Sequence, residues 1–381
     1  MRFRTLVMTG WCLVAGSLTA LTLAGAQVRR TEWNEWLTGR ATGFNGVALI
    51  GLDDVIETEM AFGPADPASG RLNTRDTRFN LGSINKTFTA VGIAQLIEEG
   101  RLGLHDTLVK HLPDYPDKAA AGRITIRQLL THRSGVAQFM RADFGDVDVA
   151  AMTRIVGNEP LAFEPGTRQI YSNGGYVVLG RVIEVVSGKS YAQYVNERIY
   201  TRAGMTASGF FRGGDRMDNI AVPVVSEGTG RAGGPGMAAP QAGPRPGNPA
   251  GGGYSTAADL FRFARALRSG RLLGPKMTQY VLNGTFAEDP KWGFSLREQM
   301  AGTRRFIGNG GGAPGVNAEF RFEPAGPYTV VALSNSSPPS ATDLLGAIVN
   351  RIAGGTAAQA SAAAPSTRLY HVPSRRPSTP P

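Results

Sequence analysis

The chain has 381 residues, 42% of them hydrophobic and 18% charged, which excludes a disordered or coiled-coil protein and leaves room for one large domain or two ordinary ones. Its formal charge of +10 suggests a nucleic-acid partner until the charges are placed. Arg2, Arg4, Arg368, Arg375 and Arg376 carry half of it at the two ends, leaving +5 on residues 27–352 with no dense basic run, so no nucleic acid is expected.

Residues 1–26 read as a secretory signal. Arg2 and Arg4 supply the basic end, Leu6 to Leu23 the apolar run, and Ala24-Gly25-Ala26 a small-residue cleavage site before Gln27. The uncharged stretch from Thr5 to Val28 is long enough to act instead as an uncleaved membrane anchor, but its small-residue ending favours cleavage. The only cysteine, Cys12, lies in this segment, so the mature chain has no disulfide and no cysteine-based metal site. A periplasmic or secreted bacterial protein is expected.

Residues 31–40 predict a short helix carrying Trp33 and Trp36. Gly46 to Ile50 and Val55 to Phe62 read as two strands joined by a turn at Gly51-Leu52-Asp53-Asp54. In Phe79 to Gly100, the segment Ser83-Ile84-Asn85-Lys86 opens a helix whose Phe88, Val91, Leu96 and Ile97 recur at helical spacing. Residues three apart share a helix face, so the Lys86 amine can sit beside the Ser83 hydroxyl and remove its proton. Burial and the positive end of the helix would bring the lysine toward its neutral form. A phosphate-binding loop is excluded, because Asn85 stands where such a loop needs glycine.

Thr125-x-x-Gln128 is a capping box opening Ile126 to Leu130, and the run ends at His132-Arg133-Ser134-Gly135. Asn173 to Val186, closed by Gly188, predicts a long apolar helix, followed by another from Tyr191 to Tyr200. Residues 227–253 are too rich in Gly and Pro for regular structure and read as either a long active-site loop or a solvated insertion, the insertion being favoured. Thr256-x-x-Asp259 reads as a further capping box, opening a helix through Leu267.

Strands then return. Thr303 to Ile307 leads into the glycine run Gly308 to Gly315, read as a stretch where a substrate carbonyl can approach the backbone or as a flexible hairpin loop. Val316 to Glu323 alternates apolar and polar residues, which predicts a half-buried antiparallel strand paired with Tyr328 to Leu333. Asp343 to Ile352 reads as a final helix, and residues 353–381 as a disordered tail.

The predicted class is therefore α+β: an antiparallel sheet built from both termini and flanked by helices, with a mainly helical region inserted. After the signal, one hydrolase domain over 27–352 is expected, its sheet part about 40–80 and 286–352 and its helical part about 83–280. Ser83 would lie at the junction, where clefts form.

Three elements together carry chemistry: Ser83-x-x-Lys86, the triplet Tyr171-Ser172-Asn173, and the glycine run around Asn309. In this order and spacing they resemble the serine beta-lactamase and penicillin-binding-protein superfamily, in its branch of class C lactamases, family VIII-type esterases and D-aminopeptidases. Residues 77–90, 124–136, 163–184 and 251–267 resemble that branch too. The resemblance implies Ser83 as nucleophile, Lys86 as its base and Tyr171 as the group that relays protons to the leaving group. It implies an oxyanion hole from the backbone N–H groups of Ser83 and Gly312, with Asn173, Asn309, Gly310 and Gly311 binding substrate. His132 is not assigned a triad role, because Lys86 and Tyr171 make a histidine unnecessary.

One departure stands out. Where relatives open the third motif with Lys or His, this chain has neutral Asn309, which hydrogen-bonds but cannot pair a carboxylate. The expectation is an exported hydrolase of small neutral esters or amides working through an acyl-enzyme, with no metal and no cofactor. The alternatives are a beta-lactamase or D-Ala-D-Ala-type carboxypeptidase acting on D-amino-acid peptides, and a non-catalytic cell-wall-binding protein.

Overall fold

The computed structural model describes residues 27–138, 147–211, 218–225, 247–283 and 293–354. The signal, Cys12, most of the Gly/Pro-rich insertion and nearly all of the tail lie outside the described residues. Among the described residues no helix is long and apolar enough to cross a membrane.

Helix α1 covers residues 27–40, four residues earlier than its apolar spacing predicted. Strands β1 (Gly46–Leu52) and β2 (Val55–Phe62) form the hairpin at one edge of the sheet. Their turn is tighter than expected, because Asp53 adopts a left-handed φ of 53° and lets β1 run on to Leu52. Four more strands, β3 (Arg297–Ala301), β4 (Arg304–Ala313), β5 (Val316–Phe322) and β6 (Tyr328–Ser334), complete a six-stranded sheet in the order β2-β1-β6-β5-β4-β3. The neighbouring pairs are antiparallel, and β1 joins β6 in register from Gly46 opposite Ser334 to Leu52 opposite Tyr328. The sheet is thus built from both ends of the domain.

Both sheet faces are covered. Val47, Leu49, Val331 and Leu333 point into the large core shared with the inserted helices. Ala48, Ile50, Val330 and Ala332 point the other way, against Leu37 of α1 and Leu344, Leu345 and Ile348 of the last helix, α6 (Ser340–Ile352). Trp33 and Trp36 meet edge to face at 5.7 Å, and the Arg351 guanidinium lies 5.2 and 5.1 Å from their ring centres. The first and last helices among the described residues are thereby pinned together on one face.

This covering corrects the expectation for β5. Its polar residues do not face water: they lie under α6. Asn317 Oδ1 accepts hydrogen bonds from the N–H groups of Ala341 (2.7 Å) and Thr342 (3.1 Å), caps that Pro339 ahead of the helix does not supply. Glu319 accepts a bond from Thr342 (3.0 Å) and pairs with Arg321 at 3.1 Å. Alternation predicted the pleat correctly but not the lid above it. The glycine run is likewise not a hairpin loop; β4 runs through it without a break to Ala313 and turns at Pro314 and Gly315.

The inserted region centres on α2 (Asn85–Glu98), in which every residue from Asn85 to Leu96 is buried. A helix wrapped on all sides is a core element. Phe88 meets Tyr200 and Phe263 edge to face at 5.1 and 4.9 Å. Against α2 pack α4 (Asn173–Ser187) and, through Phe263, α5 (Ala257–Arg268), while α3 (Ile126–Leu130) lies against α4. The Thr125–Gln128 box that opens α3 is reciprocal, with bonds of 3.2 and 2.9 Å. At α5 only half the expected box forms. Thr256 accepts from the Asp259 N–H, but the buried Asp259 carboxylate turns away to Ala207 N–H, the Ser208 hydroxyl and Arg262. The helix expected over Tyr191 to Tyr200 widens to a π turn at Asn196–Tyr200.

Glu59 on β2 offers a test of the sheet edge. It is half-buried, and its Oε1 has no hydrogen-bond partner among the described residues. Burial, partly offset by Arg75, pushes its carboxyl up to about 7. A carboxyl whose folded value is raised stabilises the fold fully only below its unfolded value and loses that contribution as pH rises through the folded one. Glu59→Gln keeps the shape without the charge. It is expected to be more stable than the parent at pH 8 by about 1–2 kcal/mol after discounting for solvent screening, and by less than half of that at pH 5, as read by urea unfolding at each pH.

Candidate active site

Ser83 lies in a 3-10 turn, Gly82–Ile84, that runs directly into α2. The Asn80 side chain accepts the Gly82 N–H at 2.8 Å, and Leu81 N–H bonds to Gly253, fixing the turn from both sides. Gly82 has a left-handed φ of 49°. Lys86 sits one turn on, as the spacing predicted. Its ammonium donates to Ser83 Oγ at 3.0 Å and to the carbonyl of Ala250 at 2.5 Å. Ser83 is partly exposed, whereas Lys86 is 1% exposed.

Tyr171 arrives from a distant segment. Its hydroxyl lies 2.6 Å from Ser83 Oγ, and the Lys86 nitrogen stands 4.8 Å from its ring centre. Ser172 caps α4 by accepting the Gly175 N–H at 2.9 Å while donating to the Ala137 carbonyl. Asn173 is then the first residue of that helix, two positions past Tyr171.

Burial lowers the Lys86 pKa, partly opposed by Tyr171. Burial alone would raise Tyr171, but the Lys86 charge, the hydrogen bonds to Lys86 and Ser83, and the charge of Arg297 together bring it below the usual phenol range. The two groups titrate as a pair, and the pair gives up a proton more easily than either group in water. A hydroxyl in contact with such a pair has somewhere to send its proton.

The third element approaches from the sheet. Gly311 faces the Ser83 turn so closely that a Cβ on it would lie 2.1 Å from the Leu81 carbonyl oxygen and 2.6 Å from Ser83 N. Only glycine allows β4 to lie against the turn, and exposed Gly312 follows at the open end. Gly310 N–H is bonded to Asn309 Oδ1 at 2.9 Å. Asn309 itself is buried. Its amide nitrogen donates to Ser295 (3.0 Å), Thr87 (3.1 Å) and the Ser83 carbonyl (3.4 Å), tying the strand to α2.

The structure thus brings Ser83, Lys86, Tyr171, Gly311 and Gly312 together, places Asn173 beside them in sequence, and buries Asn309 between β4 and α2. Sequence reasoning missed two contributors. One is the run 248–250, where Asn85, Thr89 and Lys86 of α2 donate to the successive carbonyls of Asn248, Pro249 and Ala250. These residues belong to the stretch for which a solvated insertion was favoured over an active-site loop, and main-chain carbonyls leave no sequence signal. The other is Arg297 on β3, whose charge reaches Tyr171 and Lys86. Arg304 and Arg305 on β4 are engaged elsewhere: Arg304 pairs with Glu323 at 2.8 and 2.9 Å, and Arg305 with Glu298 at 2.5 Å.

The family model described as Beta-lactamase matches residues 33–356. A Bacillus subtilis (strain 168) relative that carries a penicillin-binding name, PbpX, is 28% identical over 318 residues, spanning 81% of this chain and 75% of its own length. The teichoic acid D-alanine hydrolase of Staphylococcus aureus is 31% identical over 163 residues, 42% of this chain and 38% of its own. Among solved structures, a penicillin-binding protein from Bacillus halodurans superposes with a TM-score of 0.68 at 27% identity, covering 85% of this chain and 98% of that one.

The close approach of β4 is testable by its steric cost. Gly311→Ala is expected to destabilise the protein by about 1–3 kcal/mol in urea unfolding, because the added methyl must push strand and turn apart. Gly346→Ala, in α6 where a methyl meets nothing within 4 Å, is expected to move stability the other way by about 0.5–1 kcal/mol.

Proposed function

We propose that this chain, which belongs to the beta-lactamase family of serine hydrolases, cleaves esters or amides through an acyl-enzyme on Ser83. One observation carries the reading: a partly exposed serine hydroxyl lies 2.6 Å from a phenol and 3.0 Å from a buried amine. Ser83 Oγ attacks the substrate carbonyl while its proton passes to the Tyr171–Lys86 pair. The backbone N–H groups of Ser83 and Gly312 receive the oxyanion, and Asn173 with the Gly310–Gly311 backbone holds the substrate. The pair returns the proton to the leaving group. A water then repeats the sequence, freeing the acyl group and restoring Ser83. These groups handle every proton, so the scheme calls for no metal and no cofactor.

For substrate, we favour small neutral esters and amides. The Asn309 amide is committed to Ser295, Thr87 and the main chain, and Arg304 and Arg305 to Glu323 and Glu298, so β4 presents no cation to a carboxylate. Arg297 supports a second reading, in which its charge attracts the carboxylate of a beta-lactam or a D-Ala-D-Ala-type peptide. Export to the periplasm or beyond through residues 1–26, and a single hydrolase domain over 27–352, belong to the same proposal.

Intact mass after treatment with a fluorophosphonate tests the nucleophile. One adduct is expected, lost in Ser83→Ala; a wall-binding protein without catalysis would form none. Tyr171→Phe is expected to slow labelling by about 10²–10⁴-fold. Because both members of the pair are lowered, the wild-type rate should rise with pH and level off below pH 10, where an unperturbed phenol titrates. A panel of short-chain esters, D-alanyl amides and a chromogenic cephalosporin separates the substrate readings. Neutral esters should lead. If Arg297→Gln cuts cephalosporin turnover while sparing esters, the carboxylate reading replaces the neutral one.

A further inference from the structure

We infer that His132 is the positioning residue of Tyr171: it grips the chain on both sides of the phenol and backs the ring from behind. The inference rests on the proton-relay role proposed for Tyr171.

The grip has three points. The His132 carbonyl accepts the N–H of Ile170 at 3.0 Å, and ring Nδ1 accepts the N–H of Ser172 at 3.1 Å. The residues immediately before and after Tyr171 are therefore held by one residue. The imidazole also lies against the phenol with ring centres 4.6 Å apart and planes inclined by 38°. Tyr176 also packs on the imidazole at 5.2 Å, and that residue's hydroxyl is anchored on the Leu130 carbonyl at 3.0 Å. His132 is 1% exposed and holds a left-handed φ of 59°, a conformation unusual outside glycine. That twist turns carbonyl and ring toward the same neighbouring segment, so the two bonds reach residues two apart in the chain.

The same bonds fix the chemistry of the ring. Because Nδ1 accepts the Ser172 N–H, it bears no proton. Burial, then the charges of Lys86 and Arg297, hold the imidazole well below its usual pKa, so it stays neutral and takes no part in proton transfer. What it supplies is placement: a shift of about 1 Å in a catalytic group is enough to cost about 100-fold in rate.

The test compares His132→Asn, His132→Gln and His132→Leu with Tyr171→Phe. It reads fluorophosphonate labelling of Ser83, kcat and KM on a short-chain ester, the pH profile and thermal unfolding. Asn tolerates the left-handed backbone and places an acceptor oxygen where Nδ1 was; Gln reaches past that point, and Leu has no acceptor. Leu and Gln are expected to slow labelling and kcat by about 100-fold with KM nearly unchanged, and Asn to restore most of the rate. The charged and titratable groups around the phenol are Lys86 from α2, Arg297 from β3, Tyr176 from α4 and His132 itself. A phenol that drifts from Lys86 loses the charge that lowers it, so the rising limb should move to higher pH in Leu and Gln. Wild-type labelling by His132→Leu overturns the inference. So does loss in all three variants that only follows their unfolding temperatures with an unmoved pH profile, or recovery by Gln and not by Asn. Wild-type rates in Tyr171→Phe alone would instead sink the relay role of Tyr171, a result distinct from any of these.

Discussion

A lysine with almost no contact with water organises this molecule. An ammonium removed from solvent must be given hydrogen-bond acceptors or lose its proton, and Lys86 has the Ser83 hydroxyl, the Tyr171 oxygen and a main-chain carbonyl. None of these is a carboxylate, which would lock the proton in place. The surroundings look arranged to keep it so. Helix α2 is buried on every side, residues 248–250 lie along it as a rail of carbonyls, and Arg297 adds positive charge rather than relief. A carboxylate in place of the Ala250 carbonyl would strengthen the pairing and hold the lysine protonated.

The second constraint is closeness. The turn that carries Ser83 and the strand that carries Gly312 approach within what only a glycine allows, at Gly311 on one side and Gly82 on the other. Two parts of the chain more than two hundred residues apart are thereby brought to backbone contact. The Asn309 amide keeps them there, bonded to Thr87 of α2 and to Ser295 ahead of β3. A residue that looked from the sequence like a surface for substrate serves as a tie between the two halves.

How much could be read in advance follows from the kind of interaction involved. Local signals were legible: the Thr125–Gln128 box, the αL stop at Gly188, and the helical spacing that puts Lys86 on the face of Ser83. The pairing of Tyr171 with Ser83 was reachable only through the family resemblance, since nothing local links residues 88 positions apart. What stayed hidden was carried by main-chain atoms or by burial. The Ala250 carbonyl has no side chain to announce it. The polar face of β5 alternates like an exposed edge but is sealed by α6, and Asp259 fits a capping box yet is drawn off by Ser208 and Ala207. His132 was visible but set aside as unnecessary beside Lys86 and Tyr171, and a single sequence does not disclose that its ring and carbonyl point at the same distant segment.

The clamp of Arg351 over Trp33 and Trp36 has a bearing on how the molecule is presented to its surroundings. It gathers the first and last helices on the sheet face that turns its back on Ser83. The described chain thus begins and ends away from the serine, with the whole thickness of the sheet between its two ends and the cleft.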